Sequence, residues 1–153
     1  MKLSLRGEYA LRALIVLGLS FDQEVVRIQT ISERQNIPKR FLEQILNDLK
    51  AGGLVESRRG VAGGYRLKRE PEKITLAEVI RHIEGPLAPV SCVSERAYEP
   101  CSCPDESRCG IRSVMKEVRD AIVKILEDVT LAQVCDRVRR LEGDPANLME
   151  YFI

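Results

Sequence analysis

Two short runs, Leu54-Val55-Glu56-Ser57 and Tyr65-Arg66-Leu67-Lys68, enclose the segment Arg58-Arg59-Gly60-Val61-Ala62-Gly63-Gly64. The runs read as strands, and glycines that allow positive φ make the segment between them a tight, basic hairpin tip. No helix opens after these glycines, so they do not form a phosphate loop. What lies upstream gives the hairpin its meaning. Across residues 4–20, Tyr9, Ala13, Val16 and Ala10, Leu14, Leu17 recur at three- and four-residue steps, which predicts a helix with hardly any polar face and therefore deep burial. A short second helix is expected over 30–36, stopped by Ile37-Pro38, because the residue before a proline avoids the helical region. Pro38 suits the first turn of a third helix, where its missing N–H costs nothing. That helix turns Phe41, Leu42, Ile45, Leu46 and Leu49 inward, presents Lys39, Arg40, Glu43, Gln44 and Asn47 outward, and ends at Gly52-Gly53. Three helices followed by a hairpin make a winged helix-turn-helix, assigned to residues 1–70.

Beyond Pro71, a helix over 75–84 has Thr75 as its cap and Leu76, Val79, Ile80 and Ile83 on one face. Residues 85–110 show weak periodicity, with four prolines and four cysteines, and read as a long functional loop within a 71–110 connecting segment. A long helix is expected over 111–129. Its apolar residues Ile111, Val118, Ile125 and Met115, Ile122, Val129 repeat at sevens, with Val114 and Ala121 widening the stripe. Three heptads suit a helix that packs on its own domain and on a twin. A last amphipathic stretch, 131–141, forms a C-terminal helix that with the dimerisation helix makes up 111–141 and precedes a polar tail at 142–153. The fold class is mostly α with a small β-hairpin: a winged helix-turn-helix domain plus a long dimerisation helix.

At 153 residues the chain has room for one compact domain or a small domain with an extension, and 44% hydrophobic with 31% charged residues is globular composition. The longest apolar run, from Ala13 to Leu19, is too short for a membrane span. No export signal is read at the amino terminus, so a cytoplasmic location with reduced thiols is expected. The net charge is only +1, but it is unevenly spread. Residues 1–70 hold 13 Lys+Arg against 8 Asp+Glu, and the remainder holds 11 against 15. A basic amino-terminal half fits a polyanion-binding unit.

In a helix-turn-helix the second helix of the motif enters the major groove, and side chains near its start reach base edges. Here those are Lys39, Arg40, Glu43 and Gln44, which can donate to guanine, pair with adenine or accept from cytosine. Arg58 and Arg59 sit where a wing would lie over phosphates or the minor groove. Either element alone reads as a solvated surface; their succession favours double-stranded DNA as the partner. One such unit neutralises few phosphates, so two copies on a pseudo-palindromic operator are expected, paired by the heptad helix.

Cys92, Cys101, Cys103 and Cys109 fall within eighteen residues. Thiolates so close together repel unless a metal ion or an iron–sulfur cluster neutralises them. The intervals lack the C-x-x-C pairs that zinc favours, and their looseness suits a larger cofactor; structural zinc or a clusterless thiol switch remain alternatives. A cluster-carrying electron-transfer protein is a further alternative. Cys135, on the apolar stripe of the last helix, reads as a core thiol, and His82 as a surface residue. No nucleophile–base pairing points to an enzyme.

The hairpin stretch Gly53-Leu54-Val55-Glu56-Ser57-Arg58-Arg59-Gly60-Val61-Ala62-Gly63-Gly64-Tyr65-Arg66-Leu67 and the helix Ile37-Pro38-Lys39-Arg40-Phe41-Leu42-Glu43-Gln44-Ile45-Leu46 resemble the IscR/NsrR/RirA family of dimeric winged-helix regulators, as do the cysteines ahead of a long helix. The resemblance covers about residues 1–140. It implies DNA contacts at Gly60 and Tyr65 as well, and a [2Fe–2S] or [4Fe–4S] cluster that senses iron, oxygen, nitric oxide or redox poise. It further implies Cys92, Cys103 and Cys109 as core ligands. Arg112 stands where a family histidine would fall. Glu8, from the first helix of the neighbouring subunit, and Cys101 compete for the fourth ligand position.

Overall fold

The computed structural model describes residues 2–23 and 25–143; the tail from residue 144 onward lies outside the described residues. The first helix, α1 (Leu5–Leu19), starts where Ser4 accepts a hydrogen bond from the Gly7 N–H, and Ala10, Ala13, Leu14, Val16 and Leu17 on it are buried. Helix α2 (Ile28–Gln35) begins two residues before the expected start and ends with Asn36 in the left-handed conformation. Asn is among the few non-glycine residues that tolerate this region. Pro38 is not in the first turn of α3 (Lys39–Ala51) but caps it, its carbonyl accepting from the Phe41 and Leu42 N–H groups.

The hairpin pairs β1 (Val55–Arg58) with β2 (Gly64–Leu67), Val55 facing Leu67 and Arg58 facing Gly64, one residue off the expected limits. Val26 adds a rung on the far side of β2, exchanging two 2.8 Å backbone hydrogen bonds with Tyr65. Gly64 is required there: a Cβ would lie 2.4 Å from the Val26 carbonyl oxygen, so a larger residue would push the rung apart. At the tip, Gly60 has φ +108°, which glycine alone adopts without strain.

Helix α4 (Leu76–Glu84) is capped by Thr75 as expected, its hydroxyl accepting from the Glu78 N–H at 3.1 Å. The segment to α5 (Gly110–Asp128) is less irregular than the sequence suggests. Two 3-10 turns punctuate it, Ser91–Val93 and Glu106–Arg108. The expected C-terminal helix is α6 (Leu131–Gly143), which runs two residues beyond 141. Leu131 and Cys135 bring α6 onto α1, in the same core that holds α2, α3 and the hairpin. The Cys135 thiol faces Gly18, where an added Cβ would lie 2.7 Å from Sγ, and burial pushes this thiol above its ordinary value. Ala77, Ile80 and Leu87 form a second, smaller cluster with Val123 and Leu126 of α5. Among the described residues no helix is long and apolar enough to cross a membrane.

Candidate DNA-reading surface and cysteine centre

Helix α3 buries Leu42, Ile45, Leu46 and Leu49 and leaves Lys39, Arg40, Glu43 and Gln44 exposed, as the periodicity requires. Phe41 departs from expectation. It is 42% exposed, with the Arg40 guanidinium 4.8 Å from its ring centroid. Residues 41 and 42 differ by about 100° around the helix, so only Leu42 can point at the core. Phe41 instead joins Leu5, Tyr9 and Gln44 in lining a recess of about 300 Å³ between α1 and α3.

Between the start of α2, the end of α3 and the hairpin lies an open groove of about 470 Å³. Arg58, Arg59 and Gly60 line it and are exposed; Tyr65 also lines it but is half-buried, and its backbone makes the rung to Val26. Arg27, Gln29 and Lys50 line the same groove and were missed, because no run or motif marks them. Arg27 donates to the Val61 carbonyl at the tip (3.4 Å), and Lys50 Nζ donates to Ser57 Oγ (2.7 Å). The result is a concave basic surface bounded by a helix face and a wing, a shape that follows a phosphate backbone.

The four loop cysteines converge. Cys92 Sγ, Cys101 Sγ and a Glu106 carboxylate oxygen lie within 4.8 Å of one another. Cys103 is in side-chain hydrogen-bonding contact with both Cys101 and Cys109. Cys109 caps α5, its sulfur accepting from the Arg112 N–H at 3.4 Å. The thiols are not equivalent. The hydrogen bond from Cys103 holds Cys101 below its ordinary value, and the same contact pushes Cys103 up to about 11. Burial raises Cys92. Glu8 is exposed on the first turn of α1 and is not among the ligand atoms gathered within this chain. Glu106 was not foreseen, since one acidic residue in a polar loop gives no signal.

Two arginines one heptad apart fasten this loop to α5. Arg112 Nε donates to the Cys92 carbonyl (3.1 Å) and pairs with Glu106 Oε1 (3.1 Å); Arg119 Nη1 donates to the Val93 carbonyl (2.6 Å). Arg112 is therefore a brace for the cysteine-bearing segment. His82, exposed as expected, donates from Nε2 to the Asp48 carbonyl at the end of α3 (2.6 Å) and packs on Gly52. On α5, Ile111, Val114, Val118, Ala121 and Ile125 are exposed, whereas Met115 and Ile122 are half-buried, as is Val129, which caps the helix in an extended conformation instead of lying in it.

Residues 3–137 match the sequence model of a family described as "Rrf2: Iron-dependent Transcriptional regulator". An rrf2-like HTH-type transcriptional regulator of Rhodobacter capsulatus is 41% identical over 128 residues, 81% of this chain and 85% of that protein. Among solved structures, CymR of B. subtilis, described as its global cysteine regulator, superposes with a TM-score of 0.76 at 31% identity, covering 90% of this chain and 98% of that one. The IscR structure from T. potens gives 0.72 at 30% identity, covering 90% and 88%.

Proposed function

This chain belongs to the Rrf2 family of transcriptional regulators, and from that premise we propose that it is a cluster-sensing homodimer acting on DNA in the cytoplasm. Lys39, Arg40, Glu43 and Gln44 read base edges, while Arg58, Arg59, Gly60 and Tyr65 form the wing that follows the backbone. The exposed apolar stripe of α5 pairs two copies, because five apolar residues along one helix face are costly to leave in water. Two copies present two α3 helices to a pseudo-palindromic operator.

The observation that carries the sensing role is the single connected group formed by Cys92, Cys101, Cys103 and Cys109 at the start of α5. Four thiols and a carboxylate are more negative charge, once ionised, than a loop tolerates without a cation. Glu106 Oε1 is shielded from solvent and ion-paired with Arg112 Nε at 3.1 Å. This donor set fits an iron–sulfur cluster held by Cys92, Cys103 and Cys109, with Cys101, Glu106 or Glu8 of the partner subunit nearby. Such a cluster, when bound, supplies a charge and a cross-link that change with iron or oxidant. The residues of the chain position the loop: Arg112 and Arg119 hold its first turn on α5.

Anaerobic purification with iron and sulfide assays, a visible spectrum and an operator-retention assay tests this reading. Coloured protein whose DNA affinity changes on cluster removal is expected. Colourless protein that stays colourless after reconstitution, with unaltered DNA binding, would overturn it. The contact of Cys103 with Cys101 and Cys109 favours one second reading, a thiol switch without a cluster. In that case oxidant alone would change DNA affinity in iron-free protein.

A further inference from the structure

We propose that Glu106 supplies an oxygen ligand to the metal centre from within the same chain, beside Cys92 and Cys101. The inference rests on the reading that the loop holds a metal, and it names a ligand that the cysteine spacing does not.

Three features of Glu106 point to a ligand. Its carboxylate is within 4.8 Å of both Cys92 Sγ and Cys101 Sγ, close enough for the three atoms to meet one ion. Its two oxygens are differently engaged. Oε2 accepts from the Tyr98 hydroxyl at 2.6 Å, while Oε1, shielded from water, is ion-paired with Arg112 Nε at 3.1 Å. An ionised carboxylate offers about four acceptor sites over its two oxygens, so these two partners leave others for a cation. Finally, the carboxylate is held in place. Arg112 Nε lies 3.1 Å from Oε1, and the same atom donates to the Cys92 carbonyl, so one guanidinium orients two ligand-bearing residues. Bracing of this kind around a metal ligand is what second-sphere partners provide.

The turn that carries Glu106 is also fixed. Asp105 Oδ1 accepts from the Ser107 N–H (3.0 Å) and hydroxyl (2.6 Å), and the Cys109 N–H donates to the Glu106 carbonyl (3.3 Å). Residues i and i+3 of a 3-10 turn lie along one edge, which sets Glu106 on the same edge as Cys109. Glu8 offers none of this: it is exposed on another helix and needs a second subunit to reach the loop.

The test compares wild type with Glu106→Ala, Glu106→Gln, Glu106→Cys and Glu8→Ala, each checked for an unchanged melting temperature. Two probes are used: chelator-driven loss of visible absorbance from the iron-loaded dimer, and titration of the metal-free protein with Co²⁺ followed by its ligand-field bands. Glu106→Ala and Glu106→Gln should lose absorbance roughly 10- to 100-fold faster and weaken Co²⁺ binding by a similar factor, with shifted bands. Glu106→Cys should restore retention with a spectrum of higher thiolate character, which a merely structural role would not produce. Glu8→Ala should behave as wild type. Loss rates and Co²⁺ spectra unaffected by Glu106→Ala overturn the assignment, as does sensitivity to Glu8→Ala alone. A cluster that forms and ignores Glu106 defeats the assignment while leaving the function intact. A Glu106-dependent Co²⁺ site without any cluster does the reverse. Failure of the chain to take up either metal defeats both.

Discussion

Replacing Arg119 by methionine separates what holds the cysteine loop from what holds the fold. Arg119 is 8% exposed, and Val93, whose carbonyl it reaches, is 3% exposed. Its other partners, Glu95 and Asp120, have side chains 65% and 58% exposed. Solvent-screened pairs of that kind contribute about 0–1 kcal/mol, so the buried carbonyl dominates. A hydrogen bond from a charged donor contributes about 1.5–3 kcal/mol, and methionine preserves the apolar stem without opening a large cavity. The net cost is therefore about 2 kcal/mol, or roughly 30-fold in the local opening equilibrium. The loss should be local, because the guanidinium's polar partners are Val93 and Glu95 of the loop and its own neighbour Asp120. Native-state hydrogen exchange reads it directly. The amides of Val93 and Ser94, which donate to Val90 and Ser91, should exchange about 30-fold faster, while those around Leu14 and Leu46 keep their protection. Arg119→Lys, with a shorter and unforked donor, should fall between. Exchange at residues 93 and 94 unchanged from the parent, or a uniform loss across the core, would refute the reasoning.

Other outcomes follow from single contacts. Arg59→Ala should weaken operator binding and make its logarithmic salt dependence shallower by about one; an unchanged slope removes Arg59 from the phosphate contacts. Gly18→Ala sets a Cβ 2.7 Å from Cys135 Sγ and should cost about 1–3 kcal/mol in chemical denaturation. Adding Cys135→Ala should return part of that loss, and strict additivity of the two would show that they do not meet. In reduced, metal-free protein, Cys101 lies below its ordinary value and reaches the thiolate at lower pH, whereas Cys103, at about 11, keeps its proton. Iodoacetamide near neutral pH should therefore label Cys101 before the more exposed Cys103, as mass spectrometry of a time course would show, and the opposite order would contradict the hydrogen bond between them.

The winged-helix core was legible because its signals are local. Leu42, Ile45, Leu46 and Leu49 recur at helical spacing, and Gly52-Gly53 and Gly60 mark turns that only certain backbones allow. What escaped depends on contacts across the chain. Phe41 scores as apolar whichever way it points, and only the presence of Leu5 and Tyr9 nearby explains its partial exposure. Val26 forms a one-residue rung, too short to leave a periodic trace. Arg27 and Lys50 enter the groove because α2 and the end of α3 flank the wing, which no spacing within either segment reveals. In the cysteine loop the residue types suggest metal chemistry, but the proximity of Cys92 to Cys101 and Glu106 arises from two 3-10 turns and a bracing arginine on α5.

Those braces also restrict how a change in the loop could reach DNA within one subunit. Helix α5 packs on the Ser91–Val93 turn and on α4, and α4 in turn packs on α1 and α3. The joints along that route are specific: Val123 and Leu126 of α5 meet the cluster containing Ala77 and Ile80, Glu84 accepts from the Ser4 N–H at the start of α1 (3.0 Å), and His82 donates to the Asp48 carbonyl at the end of α3. Closely packed helices move as units rather than deform, so a shift of α5 against α4 is transmitted instead of absorbed. A regulated state must then differ in how the loop sits on Arg112 and Arg119, since an effector that holds both arrangements equally changes nothing downstream. Under the proposed sensing role, the loop–α5 contacts, more than the wing or the recognition helix, are accordingly where ligand-dependent energy enters.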